Sequence, residues 1–140
     1  MSKSYKCHGI CFKRIKNPKY KYELLKNYRV FVNIAGSINT KYLKLKNGWL
    51  TLSKGYRWDG CSGPSWDGFI LGKLVNSCSM RGGLVHDGLY QLFRMKKLSR
   101  KLRKFADKLF YKILRADGMT LIRAKVYYYS VRGFAGYAAK

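Results

Sequence analysis

At 140 residues, 47% hydrophobic and 16% aromatic, the chain can bury a real core as one domain, which excludes a disordered polycation. Thirty lysines and arginines against six acids leave a formal net charge of +24, a field that favours polyanions: nucleic acid, an anionic membrane surface or an acidic protein neighbour. Met1-Ser-Lys-Ser-Tyr-Lys leads into no apolar secretory segment, no run is long enough to span a bilayer, and Cys7, Cys11, Cys61 and Cys78 lack the spacing of a disulfide framework, so the thiols are expected to be reduced.

Residues 1–27 read as a basic arm, with Lys13, Arg14, Lys16, Lys19 and Lys21 interleaved among Tyr5, Tyr20 and Tyr22 and a turn at Asn17-Pro18. Such a mixture suits phosphate contacts with base stacking, and equally an arm that docks on another subunit. Cys7-His8-x-x-Cys11 offers two or three zinc ligands, too few for a tetrahedral site unless Cys61 and Cys78 join them. Residues 28–140 read as a single α+β domain. Tyr28–Ile34 is rich in β-branched and aromatic residues, and a hairpin is expected over 41–53, where period-two alternation flanks Asn47-Gly48. These strands make a small N-terminal antiparallel sheet.

A glycine-rich stretch, Lys54 to Gly68, follows, and its glycines and Pro64 predict irregular structure. Glycines let backbone carbonyls turn inward, and Asp59 and Asp67 beside them make an oxygen-rich loop of the kind calcium prefers. The spacing is not that of an EF-hand, and a purely structural loop whose Trp58 and Trp66 cover the core fits as well. Leu84, Val85, Leu89, Leu92 and Phe93 then recur at helical spacing over 81–95. This helix carries His86-Asp87-x-x-Tyr90, with one of only two histidines, and His86 and Tyr90 share a face one turn apart. Ser99 is placed to cap a second helix over 100–116, whose apolar stripe runs from Leu102 to Leu114 with Asp107 on its border. Asp117-Gly118 ends it, a third helix is expected from Thr120 to about Arg132, and residues 133–140 are expected to be irregular or docked on a neighbour.

Two amphipathic helices joined by a short turn pack antiparallel, which brings Asp107 towards the face of His86 and Tyr90. Neutral His86 would there serve as a general base towards water, with Asp107 holding the imidazole tautomer. Asp87, roughly a hundred degrees round the helix, is left to ligate a cation together with the 55–64 loop. The competing reading is a core histidine beside a solvated aspartate.

Residues from about 49 to 136 resemble a family of small phage proteins, domain of unknown function 1353. The resemblance rests on Lys54-Gly-Tyr-Arg-Trp-Asp-Gly-Cys-Ser-Gly-Pro64, Leu84-Val-His-Asp-Gly-Leu-Tyr90, Ala106-Asp107 and Tyr129-Ser-Val-Arg-Gly-Phe134. It implies a virion protein, present in the host cytoplasm during assembly, whose partners are other virion proteins in a larger assembly. The same order of motifs is similar to phospholipase A2, especially the disulfide-free viral capsid type. That similarity implies a helical pair in which His86 is the base, Asp107 its partner, Tyr90 a supporting hydrogen bonder and Asp87 a calcium ligand. Carbonyls around Trp58, Gly60 and Gly63 would complete the shell, with Asp59 an addition that the pattern does not contain. Leu84 and Val85 stand where secreted enzymes have paired cysteines. The expected function is hydrolysis of membrane phospholipid as the virus enters or leaves its host. The alternative is a non-catalytic capsid, tail or packaging protein that binds nucleic acid or other subunits through its basic surface.

Overall fold

Alternating burial organises the N-terminal half. The computed structural model describes the backbone of residues 4–60 and 65–138 and the side chains of 4–60 and 79–133. Ser4–Cys7 (β1), Ile10–Arg14 (β2), Tyr22–Leu24 (β3), Tyr28–Phe31 (β4), Ile38–Asn39 (β5), Leu43–Lys46 (β6), Trp49–Leu52 (β7) and Arg57–Trp58 (β8) form two four-stranded sheets, ordered β1-β2-β3-β8 and β4-β7-β6-β5. Every pairing is antiparallel. Helices Ser65–Arg94 (α1), Arg103–Ala116 (α2) and Leu121–Ala138 (α3) follow. The architecture is α+β, as expected, in two units: Met1–Asp59 carries the strands and Gly60–Lys140 the helices.

The stretch that the sequence presents as a basic arm is folded. Ile10, Phe12, Tyr22 and Leu24 are buried, and the rings of Phe12, Tyr22 and Trp58 meet at centroid distances of 5.5 to 5.8 Å. Lys13 and Arg14 lie within β2; Lys16, Lys19 and Lys21 are exposed on the connection to β3. Glu23 takes Lys13 at 3.5 Å and Arg57 at 2.8 Å across the sheet. The arm reading fails because these strands are too short to show a period, and pairing rather than propensity makes them. Cys7-His8-Gly9-Ile10 is the tight turn between β1 and β2, with His8 at φ 48° and Gly9 at φ 86°. The hairpin over 41–53 forms as expected. Asn47 and Gly48 both take left-handed φ, 53° and 82°, as a two-residue hairpin turn requires.

In the helical unit, α1 begins at Ser65, well before the expected start at 81. The first four residues of this helix therefore belong to the stretch expected to be irregular, as do the strand residues Arg57 and Trp58. Single glycines cost about 1 kcal/mol each relative to alanine, which a helix of thirty residues carries. Helix α3 likewise continues through Gly133 and Gly136 to Ala138, correcting the irregular tail. Ser99 Oγ accepts the Lys101 N–H at 3.2 Å at the head of a short tightened turn, Arg100–Leu102, that leads into α2. The helix ends in a Schellman arrangement, Met119 N–H to Leu114 O and Gly118 N–H to Arg115 O, with Gly118 at φ 100°.

Helix α1 packs antiparallel on α2: rising from Arg81 to Tyr90, its partners descend from Asp117 to Asp107. Gly82 permits the approach, since a Cβ there would meet Leu114 Cδ2 at 3.0 Å and Phe110 Cδ1 at 3.3 Å. Phe110 and Leu114 also join Met119, Ala124, Tyr127 and Val131 in a buried cluster between α2 and α3. The Arg81 guanidinium grips Asp117 with Nε at 3.0 Å and Nη2 at 2.8 Å, tying α1 to the end of α2.

Candidate active site

Three helices converge on Asp107. It sits one turn before Phe110 on the buried face of α2 and is 0% exposed. Helix α1 supplies His86 and Tyr90, one turn apart on the face that meets α2. Asp107 Oδ1 lies 2.7 Å from His86 Nε2 and accepts the Tyr90 hydroxyl at 2.7 Å. Helix α3 supplies Arg132, whose Nη1 donates to Asp107 Oδ2 at 2.7 Å. Arg103, at the start of α2, donates through Nη2 to the Arg132 carbonyl at 2.8 Å and interacts with the Tyr90 hydroxyl. The imidazole is held between the Tyr90 ring at 4.2 Å and the Phe110 ring at 4.8 Å.

Burial alone would push the Asp107 carboxyl up. Hydrogen bonds from His86, Tyr90 and Arg132 and the neighbouring His86 outweigh it and hold the group below its ordinary value, as a carboxylate. A carboxylate only accepts, so Nε2 of His86 carries the proton and, in neutral imidazole, Nδ1 is the basic nitrogen. Tyr90 shifts upward, first because it is buried and then because the Asp107 carboxylate lies against its hydroxyl, so it remains a neutral donor. His86 is 5% exposed, while 30% of the Arg132 side chain reaches solvent. The ionised Asp107 thus sets a fixed negative charge against the His86 ring.

His86, Tyr90 and Asp107 are therefore brought together as the sequence leads one to expect. Asp87 is half-buried on α1, on the side of the helix next to His86, and is engaged with a neighbouring group. The calcium donors fare differently. Trp58 is fully buried, and its carbonyl accepts the Lys21 N–H at 3.1 Å within the sheet. Asp59 is exposed, Gly60 is buried with φ 95°, and Gly63 lies outside the described residues. Among the described residues no three or more His, Cys, Asp or Glu side chains gather where a metal ion would be held. Arg132 and Arg103 carry no local sequence signal for this role, save that Arg132 stands within the Tyr129–Phe134 motif.

A family model described as "Protein of unknown function (DUF1353)" matches residues 37–131, a span that contains His86, Tyr90 and Asp107. No curated protein and no solved structure matches the chain.

Proposed function

The chain belongs to this family of unknown function, and we propose that it is a phage virion protein that hydrolyses an ester of membrane phospholipid, with His86 as general base. The observation that carries this reading is the buried 2.7 Å contact between His86 Nε2 and an Asp107 carboxylate that two further donors hold ionised. In the proposed reaction Nδ1 takes a proton from water as the oxygen attacks the ester carbonyl. The imidazolium that forms faces a carboxylate already in place, and its proton passes to the departing alkoxide. Arg132 and Arg103 put positive charge beside the reacting histidine, which suits an anionic substrate and a developing oxyanion. A net charge of +24 favours anionic lipid surfaces.

A second reading is favoured by the completeness of the same network. Both Asp107 oxygens are taken, by His86 and Tyr90 on one side and by Arg132 on the other, and His86 is 5% exposed. Such a network is a staple joining three helices, in a virion protein that contacts nucleic acid or other subunits through basic surface. Fatty-acid release from mixed anionic and zwitterionic vesicles separates the two, measured with calcium and with chelator for wild type, His86→Asn and His86→Ala. Release that either substitution abolishes while helix content is retained supports the hydrolase, and the chelator arm reports whether a cation takes part. No release from the folded wild type, in any lipid and with calcium present, favours the staple.

A further inference from the structure

The outer face of the sheet β5-β6-β7-β4 carries a cluster separate from the His86 site and independent of its reading. Period-two alternation buries Leu43, Leu45, Leu50 and Leu52 on one side. The other side presents Arg29, Phe31, Lys44, Lys46, Trp49 and Thr51. Register aligns them in two rows across three strands, Lys46-Trp49-Phe31 and Lys44-Thr51-Arg29. Phe31 is 49% and Trp49 37% exposed, their rings meet edge to face at 5.2 Å, and the Arg29 guanidinium lies 4.1 Å over the Trp49 ring. No acidic residue occurs between Glu23 and Asp59, so nothing within these strands neutralises the cations.

We propose that this face binds single-stranded nucleic acid, with bases stacked on the Phe31, Trp49 and Arg29 surfaces and phosphates held by Lys44 and Lys46. Lysine alone would attract any polyanion; the two rings and the guanidinium plane add flat partners for bases, which a duplex hides in its own stack. Lys44 and Lys46 project from alternate positions of one strand, about 7 Å apart, a step on the scale of successive phosphates of an extended strand. Asn47 and Thr51 line the same shallow groove and offer hydrogen bonds to sugar or phosphate. A lipid surface is the weaker occupant, because the Trp49 ring could enter the acyl region only by carrying the Arg29 charge with it.

The test is anisotropy of a labelled single-stranded oligodeoxynucleotide titrated with the full chain at several salt concentrations, with duplex of the same sequence as competitor. Trp49→Ala and Phe31→Ala are each expected to weaken binding about 10-fold at fixed salt with an unchanged salt slope, as loss of one stacked base predicts. Lys44→Gln/Lys46→Gln is expected to lower the slope of log K against log salt by about 1.4, for two phosphates. Lys16→Gln/Lys19→Gln, exposed on the connection between β2 and β3, serves as the control and is expected to lower it less. Circular dichroism checks that each variant is folded, and the two lysine pairs, exposed in every case, keep the test decisive if an aromatic variant does not fold. Wild-type affinity in Trp49→Ala and Phe31→Ala, or equal losses from the two lysine pairs, would overturn the proposal in favour of diffuse charge attraction. Loss of binding to anionic vesicles in Trp49→Ala with oligonucleotide binding intact would overturn it in favour of a membrane face.

Discussion

Replacing Asp107 by Asn removes one charge from the centre of the helical unit while leaving its volume almost unchanged. The native carboxylate accepts three hydrogen bonds at 2.7 Å, from His86, Tyr90 and Arg132. The amide oxygen can still accept from His86 and Tyr90, but its NH2 group would face Arg132 Nη1, donor against donor. Breaking a buried charged pair from one side costs about 3–5 kcal/mol, and the two surviving bonds place this case near the lower end, about 3–4 kcal/mol. Against a total stability on the order of 5–15 kcal/mol this is a large fraction. Urea denaturation followed by helix circular dichroism would show it as a midpoint lowered by about 1.5–2 M, for a slope of about 2 kcal/mol per M. The pH dependence gives an independent check. Asp107 has its folded value below the unfolded one of about 3.9, so its contribution is present above that value and is lost as pH falls through the folded value. The gap between wild type and Asp107→Asn should be full at neutral pH and shrink below about pH 4. A gap under about 0.5 kcal/mol at neutral pH, or one that does not shrink in acid, would refute the view that an ionised Asp107 holds the three helices.

Tyr90→Phe removes one of the three donors to Asp107 and should cost about 1–2 kcal/mol by the same assay. In an alkaline absorbance titration, Tyr90 should ionise above the ordinary tyrosine range, and that late contribution should be missing in Tyr90→Phe. Its folded value lies above the unfolded one near 10, so its contribution to stability is intact below about pH 10 and is lost as pH rises through the folded value. Gly82→Ala gains about 1 kcal/mol of helix propensity but drives a methyl to 3.0 Å from the fully buried Leu114; overpacking of about 2 kcal/mol should leave a net loss of about 1 kcal/mol in thermal or urea melts. Gly48→Ala places a side chain at φ 82° and 2.6 Å from Phe31 Cε1, so about 1–2 kcal/mol should be lost and the near-ultraviolet signal of the Phe31–Trp49 pair should change.

Local patterns were legible where they extend over several residues. The 41–53 hairpin announces itself through Asn47-Gly48 between alternating strands. Helix α2 does so through its 3.6-residue stripe, with Ser99 before it and Gly118 after it. The shared face of His86 and Tyr90 is a matter of spacing alone. Short strands were not legible: β3 has three residues and β8 two, and they exist because they pair across 34 positions, as Glu23 and Arg57 do. Arg132 looked like one more surface cation among thirty, since nothing within a turn of it names its partner.

The sequence by itself determined the α+β class, the Asn47-Gly48 turn, the ends of α2 and the one helical turn that aligns His86 with Tyr90, because propensity and periodicity act within about four residues. Only the tertiary structure decided that Ile10, Phe12, Tyr22 and Leu24 belong to a core, that the Trp58 carbonyl serves the sheet, and that Arg132 reaches Asp107 from 25 positions away. Those outcomes depend on contacts between elements distant in the chain. There, burial and the satisfaction of charged and hydrogen-bonding groups outweigh any local preference.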